Sequence, residues 1–202
     1  MKIAFINGSP EQGNSVSKRI LEEMQAYFSE KYDCEKFHFY SGSFPGRDQM
    51  FQRMMFCEIW LFALPVEENR IPAHMEGLLE EWESLLKGRG NSRKIYAVSE
   101  CGAYDGRQNK EVLEILENWC MQTESCWGQG IGLGAGGVLL SMEEIPMGQG
   151  PKKDLGKALE ELAGHIKEGE TGENLYLGIN VSRFFCRSAA EYGWQFQREL
   201  EG

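Results

Sequence analysis

The sequence predicts an α/β domain: one parallel sheet of five strands, in the order 2-1-3-4-5, with helices on both faces. Three observations carry this. Short apolar runs alternate along the 202 residues with stretches whose apolar side chains recur every three or four positions. Those are strand and helix periodicities, and their alternation implies a parallel sheet between helical layers. The run 58–64, Glu-Ile-Trp-Leu-Phe-Ala-Leu, is almost continuously apolar, as a central strand buried on both faces must be. Finally, 42% hydrophobic residues in a chain of 202 suffice for one domain with a sizeable core. The strand order follows the commonest doubly wound pattern for five strands.

The elements follow in order. Residues 2–6 form an apolar strand, and 7–15 a loop of small, turn-forming residues. Val16, Ile20, Met24, Tyr27 and Phe28 give a first helix over about 14–32. Residues 34–40 alternate as a second strand, in which His38 is read as an ordinary strand side chain, and 41–46 form a loop. Asp48 starts a short helix through 49–56, and the central strand 58–64 leads into a loop at 65–73. Met75, Leu78, Leu79, Trp82, Leu85 and Leu86 mark the next helix; 94–99 is a strand and 100–108 a glycine-containing loop. Val112, Ile115, Leu116, Trp119 and Cys120 mark another helix. Residues 127–140 combine many glycines with Ile131, Leu133, Val138 and Leu139, so a broken or bulged strand is expected. A loop at 143–151 precedes a helix over 153–168, and 169–172 is a break. Residues 181–196 carry aromatic side chains at helical spacing, a tail helix expected to pack on the domain or on a second subunit. Nothing divides the chain, so residues 1–202 read as a single domain with a helical tail from about 181.

Composition excludes several classes. A formal net charge of −10 argues against a general nucleic-acid or anionic-membrane surface. No segment reaches the roughly 18 to 20 apolar residues of a membrane span, and the first residues enter a strand without a signal-peptide layout. A cytoplasmic protein is expected. The six cysteines form no C-x-x-C pair, so free, mostly buried thiols are expected and no metal site is assigned.

The stretch 2–15 organises the chain. A strand, a small-residue loop and a helix N-terminus together make a seat for an anion. The first helical turn has amides without intrahelical partners, and the helix dipole adds positive potential. Gly8 and Gly13 permit close backbone approach, and Ser9, Asn14 and Ser15 offer side-chain hydrogen bonds. The alternative is a plain turn capped by Asn14 or Ser15. Neither the dinucleotide glycine pattern nor a Walker loop is present.

Asn7-Gly8-Ser9-Pro10 followed by Gly13-Asn14-Ser15 resembles the opening of the NADPH-dependent FMN reductase family, whose members carry N-G-S-P-R-x-x-G-N-[ST]. Glu11 stands where the family has Arg or Lys. Pro65-Val66-Glu67, then Ile71-Pro72-Ala73, resembles the family's P-V-Y…P-A loop, with Glu67 in place of the tyrosine beside the flavin. The resemblance implies a flavodoxin-like three-layer sandwich, an FMN cofactor, NADH or NADPH as electron donor, a small-molecule electron acceptor and a homodimer. It implies an FMN-dependent NAD(P)H oxidoreductase, with hydride passing from nicotinamide to flavin and then to an acceptor. Ser9, Pro10, Gly13, Asn14 and Ser15 would hold the phosphate. Pro65, Val66 and Glu67, with Cys101, Gly102 and Tyr104, would flank the ring.

Cofactor chemistry of this kind requires no dedicated acid–base residue, and none is assigned. The 101–106 loop reads equally as a surface loop capping the next helix, and Glu67 and Glu68 read as a solvated loop rather than as paired acids. Two acids, Glu11 and Glu67, where the family has a base and an aromatic also suit a flavodoxin-like protein that has lost flavin and serves as a binding or regulatory module.

Overall fold

The computed structural model describes residues 1–29, 31–42, 46–88, 92–182 and 184. A single parallel sheet runs through its centre. Its strands are β1 (Lys2–Asn7), β2 (Asp33–His38), β3 (Ile59–Pro65), β4 (Lys94–Glu100), β5 (Cys126–Gly134) and β6 (Leu175–Gly178). They lie in the order β2-β1-β3-β4-β5-β6. The helices are α1 (Val16–Gln25), α2 (Arg47–Met54), α3 (Ala73–Leu86), α4 (Lys110–Gln122) and α5 (Lys153–Glu168). Six strands therefore replace the five expected, with the expected order intact for the first five. The sixth pairs in parallel with β5 through Ile131↔Leu175 to Gly134↔Gly178. Four residues, half-buried on an edge, are too few to show a period in sequence.

The alternation of side chains along each strand builds two cores. Ile3 and Phe5, Ile59 and Leu61, Tyr96 and Val98 face α1 and α5, together with Ile20, Met24, Leu159 and Leu162. Ala4 and Ile6, Trp60 and Phe62, Ile95 and Ala97 face α3 and α4, together with Leu79, Trp82, Leu116 and Trp119. The second core is aromatic. Phe51 stacks on Trp82 with ring centroids 5.1 Å apart, and Trp82 meets Trp60 edge-on at 5.9 Å. Two of the buried indoles place their N–H groups on carbonyls: Trp60 donates to that of Met54 at 3.0 Å and Trp119 to that of Leu79 at 2.8 Å.

Two boundaries differ from expectation for local reasons. Helix α1 stops at Gln25 rather than near 32, because Phe28 turns to pack edge-on against Phe5 and Tyr32. The expected irregularity in the fifth strand is a bulge. Register shifts between Ile95 and Tyr96 opposite Gly128, where an added Cβ would stand 2.3 Å from the Tyr96 ring. The glycine is needed for that ring to lie across the strand. Residues 136–142 form 3-10 turns, where the strand was expected to continue through 140. The expected tail helix at 181–196 lies almost entirely outside the described residues. The five cysteines described, Cys34, Cys57, Cys101, Cys120 and Cys126, are free. Among the described residues no helix is long and apolar enough to cross a membrane.

Candidate functional site

The connection after β1 leads outward to β2, and the next returns to β3 on the other side. The strand order reverses there, so the carboxyl ends of β1 and β3 bound the crevice where ligands bind in such sheets. The loops at 8–15, 66–72, 101–105 and 135–149 leave from this end of the sheet.

The first loop is held from beneath and open above. The Asn7 side-chain oxygen accepts from the Ser9 amide at 2.9 Å, and Ser9 Oγ accepts from the Glu11 amide at 3.4 Å. Ser15 caps α1, its hydroxyl accepting from the Lys18 amide at 3.2 Å. The exit of β2 grips the loop's carbonyls. His38 Nε2 lies 3.1 Å from the Ser9 oxygen, and the Ser41 amide and hydroxyl reach the Pro10 oxygen at 3.2 and 3.1 Å. A carbonyl only accepts, so His38 carries its proton on Nε2. Between Gln12 and Ser17 no amide donates to an acceptor among the described residues. A Cβ on Gly13 would meet nothing within 4 Å. Amides left unpaired at a helix N-terminus can donate to an anion.

The sequence-predicted residues divide in their placement. Gly13, Asn14 and Ser15 stand at the mouth of α1, with Ser9 and Pro10 beneath them as the gripped base. Asn14 turns aside, donating to Glu143 Oε1 at 3.2 Å. Glu11 is exposed at the rim. In the second loop Pro65 ends β3, and the Val66 amide is committed to the Glu100 carbonyl at 2.7 Å. Glu67 and Arg70 close on each other through paired backbone bonds of 3.0 and 2.8 Å. Glu68 and Asn69 between them have φ of 48° and 64°, a two-residue turn of the I′ kind. Left-handed geometry at a glutamate costs about 1 kcal/mol or more. In the third loop Gly102 faces open space. Cys101 is buried, its thiol aimed at the Ala103 oxygen and approached by Asn109 Nδ2 at 3.3 Å. The Tyr104 hydroxyl donates to the Val181 carbonyl at 3.0 Å, which ties that ring toward the edge beyond β6.

Three residues of this region are ones that sequence reasoning missed as site residues. His38 is the clasp just described. His74, in the first turn of α3, donates from Nε2 to the Phe39 carbonyl at 2.9 Å, and burial holds its pKa below the ordinary value. Glu100 ends β4 with only 8% of its surface exposed, and burial pushes its carboxyl up to about 7. An acid closing an otherwise apolar strand was the available signal for Glu100. The flanks also carry stranded polar atoms: Ser17 Oγ, Arg19 Nε and Lys152 Nζ are buried without a hydrogen-bond partner.

The largest of the described cavities, 630 Å³, lies elsewhere. Met1, Cys57, Glu58, Arg93 and Lys94 line it at the amino ends of the strands, opposite the loops. Among the described residues no group of three or more His, Cys, Asp or Glu side chains could hold a metal ion.

No protein-family model matches the chain, and comparison with the curated proteins gives no match. Solved structures do share its fold. An NADH:FMN oxidoreductase in its apo form superposes with a TM-score of 0.60 at 12% identity, over 85% of this chain and 91% of that one. An oxidoreductase from Corynebacterium diphtheriae gives 0.56 at 12% identity, over 83% and 94%. A short-chain flavodoxin associated with a bacterial microcompartment gives 0.55 at 8% identity, over 85% and 100%. The fold is therefore flavodoxin-like, and it is the one on which such oxidoreductases are built.

Proposed function

We propose that the protein is an FMN-dependent oxidoreductase that receives hydride from NADH or NADPH and passes electrons to a small-molecule acceptor. The observation that carries this reading is the row of unpaired amides from Gln12 to Ser17. They crown α1 at the point where the strand order reverses. Such a row suits a phosphate monoester, and the shared fold of an NADH:FMN oxidoreductase supports FMN as its bearer.

The residues present fit the phosphate end of the cofactor. The Gln12–Ser17 amides and the Ser15 hydroxyl would hold it, and Ser9 and Pro10, gripped from β2, would keep the loop from shifting. Gly102 leaves room for a planar group over the ends of β3 and β4. Bound FMN would supply the hydride and electron chemistry. The chain supplies position, shielding from water and the electrostatics of the loops.

The second loop favours a second reading. Glu67 and Arg70 are tied into a hairpin, and no aromatic side chain stands at 66–70 to stack on a ring. A flavodoxin-like module rebuilt for a different phosphorylated ligand accommodates both facts. Titration with FMN and with riboflavin separates the two. Our reading expects FMN to bind, and at least tenfold more tightly than riboflavin, since the phosphate contributes charge-assisted bonds of roughly 1.5 to 3 kcal/mol each. Binding of a phosphate-bearing nucleotide in preference to FMN supports the second reading.

A further inference from the structure

Glu100 lies where three of the site's segments meet, and nothing assigned above uses its side chain. Its backbone pairs with Pro65 of β3 and Leu133 of β5. Alternation along β4 sends its side chain to the face of Tyr96 and Val98, beneath α1 and the turn at Gly136–Met142. That turn is built around the carboxyl group. A Cβ on Gly136 would stand 2.5 Å from Glu100 Oε2, so a larger residue there would have to push the carboxyl group aside. The turn is pinned there by the Gly136 amide on the Cys101 carbonyl, 2.9 Å, and the Ala135 amide on that of Ala103, 2.6 Å.

The carboxyl group makes no hydrogen bond with a described residue and faces no basic side chain. Burial is the cause that raises its pKa, with no charged partner contributing. The titratable groups on the elements around it are the Cys101 thiol, Asp105 in its own loop, Glu67 in the loop after β3 and Glu143 beyond the Gly136–Met142 turn. Helix α1 presents the uncharged Val16 and Ser17 toward the sheet; Lys18 is exposed, and Arg19 is half-buried with its guanidinium on Glu23 at 2.7 Å. The Cys101 thiol, raised first by its own burial, is raised further by Glu100.

We propose that Glu100 is a ligand-contacting acid of this site: it meets bound FMN as a neutral carboxyl donating a hydrogen bond, so that binding above neutral pH takes one proton from solvent onto this side chain. The proposal rests on the flavin reading. An incoming phosphate monoester brings negative charge, and its body removes the last water from the carboxyl. Both penalise the carboxylate and leave the acid unharmed. The proton moves from solvent to a Glu100 carboxylate oxygen, and no electron is transferred in this step.

Calorimetric titration of FMN into the protein at about pH 8, in two buffers of different ionisation enthalpy, counts the protons taken up. The wild type should take up close to one proton per FMN, and Glu100→Gln none. Wild-type affinity should also fall about tenfold per unit of pH above the Glu100 titration, with Glu100→Gln lacking that component. Glu100→Leu, equally uncharged but without a donor, should bind more weakly than Glu100→Gln at every pH. Thermal melting establishes that each variant is folded. Equal proton uptake by wild type and Glu100→Gln overturns the proposal and leaves the flavin reading standing. Absence of FMN binding by both overturns the flavin reading and the proposal with it.

Discussion

His38 Nε2 stands 3.1 Å from the carbonyl oxygen of Ser9, joining the end of β2 to the loop after β1. That contact, with Ser41 on Pro10, turns the loop's carbonyls downward and leaves the following amides facing the crevice. Removing the imidazole should free the loop at small cost to the fold. His38→Ala is expected to weaken FMN binding about three- to tenfold, from loss of one hydrogen bond of roughly 0.5 to 1.5 kcal/mol. His38→Gln, which keeps a donor, should recover most of it. Fluorescence titration of both variants checks this; equal loss in the two would assign the effect to packing.

Charge at the rim should matter as well. Glu11 is exposed where the loop opens, and a carboxylate there opposes a phosphate. Glu11→Arg should tighten FMN binding about tenfold at low salt, with the gain shrinking as salt is added. Glu67→Tyr should also tighten it, with less salt dependence. Affinity measured at two ionic strengths separates the effects, and an unchanged affinity in Glu11→Arg would move the phosphate away from this loop.

Glu100 makes stability depend on pH in a definite direction. Its ordinary value is 4.5 and the folded value about 7, so the folded state holds the proton more tightly than the unfolded chain. Stability contributed by the protonated acid is therefore full below about 4.5. It falls as pH rises toward about 7, then levels. The difference between wild type and Glu100→Gln should grow by about 3 kcal/mol across that window, at 1.36 kcal/mol per unit. Urea unfolding at a series of pH values measures it, and parallel curves would mean that Glu100 titrates normally.

Lys152 is buried with an unpartnered ammonium, and burial and the neighbouring Arg19 lower its pKa. Lys152→Met should stabilise the protein by about 1 to 3 kcal/mol, the cost of an unsatisfied buried donor. Destabilisation on denaturant unfolding would reveal a partner for that ammonium.

Much of this was legible in the sequence because it depends on short-range pattern. The continuous apolar run placed β3 at the centre, and the heptad-like spacing of Met75 to Leu86 placed α3. The small-residue loop before Val16 pointed to the helix mouth whose amides prove unpaired. What was hidden depends on contacts between distant segments. β6 is four residues whose place is set by pairing with β5. The hairpin at Glu67 and Arg70 rests on left-handed backbone at Glu68 and Asn69, and only the asparagine carries a sequence signal for it. Tyr104 looked available to a ring until its hydroxyl was found on Val181. His38 and Glu100 owe their roles to loops that approach from 29 positions away in one case and across the β5 connection in the other.

The most direct test of the account is optical. The protein is mixed with excess FMN, freed of unbound ligand, and its visible spectrum is recorded anaerobically before and after NADH or NADPH. The account predicts a retained flavin band that bleaches with reduced nicotinamide, and much less retained flavin in a variant with Ser15→Ala and Gly13→Val, which removes a donor and fills the open space over the loop. A protein that emerges colourless, or a flavin band unaffected by those two substitutions, would contradict it.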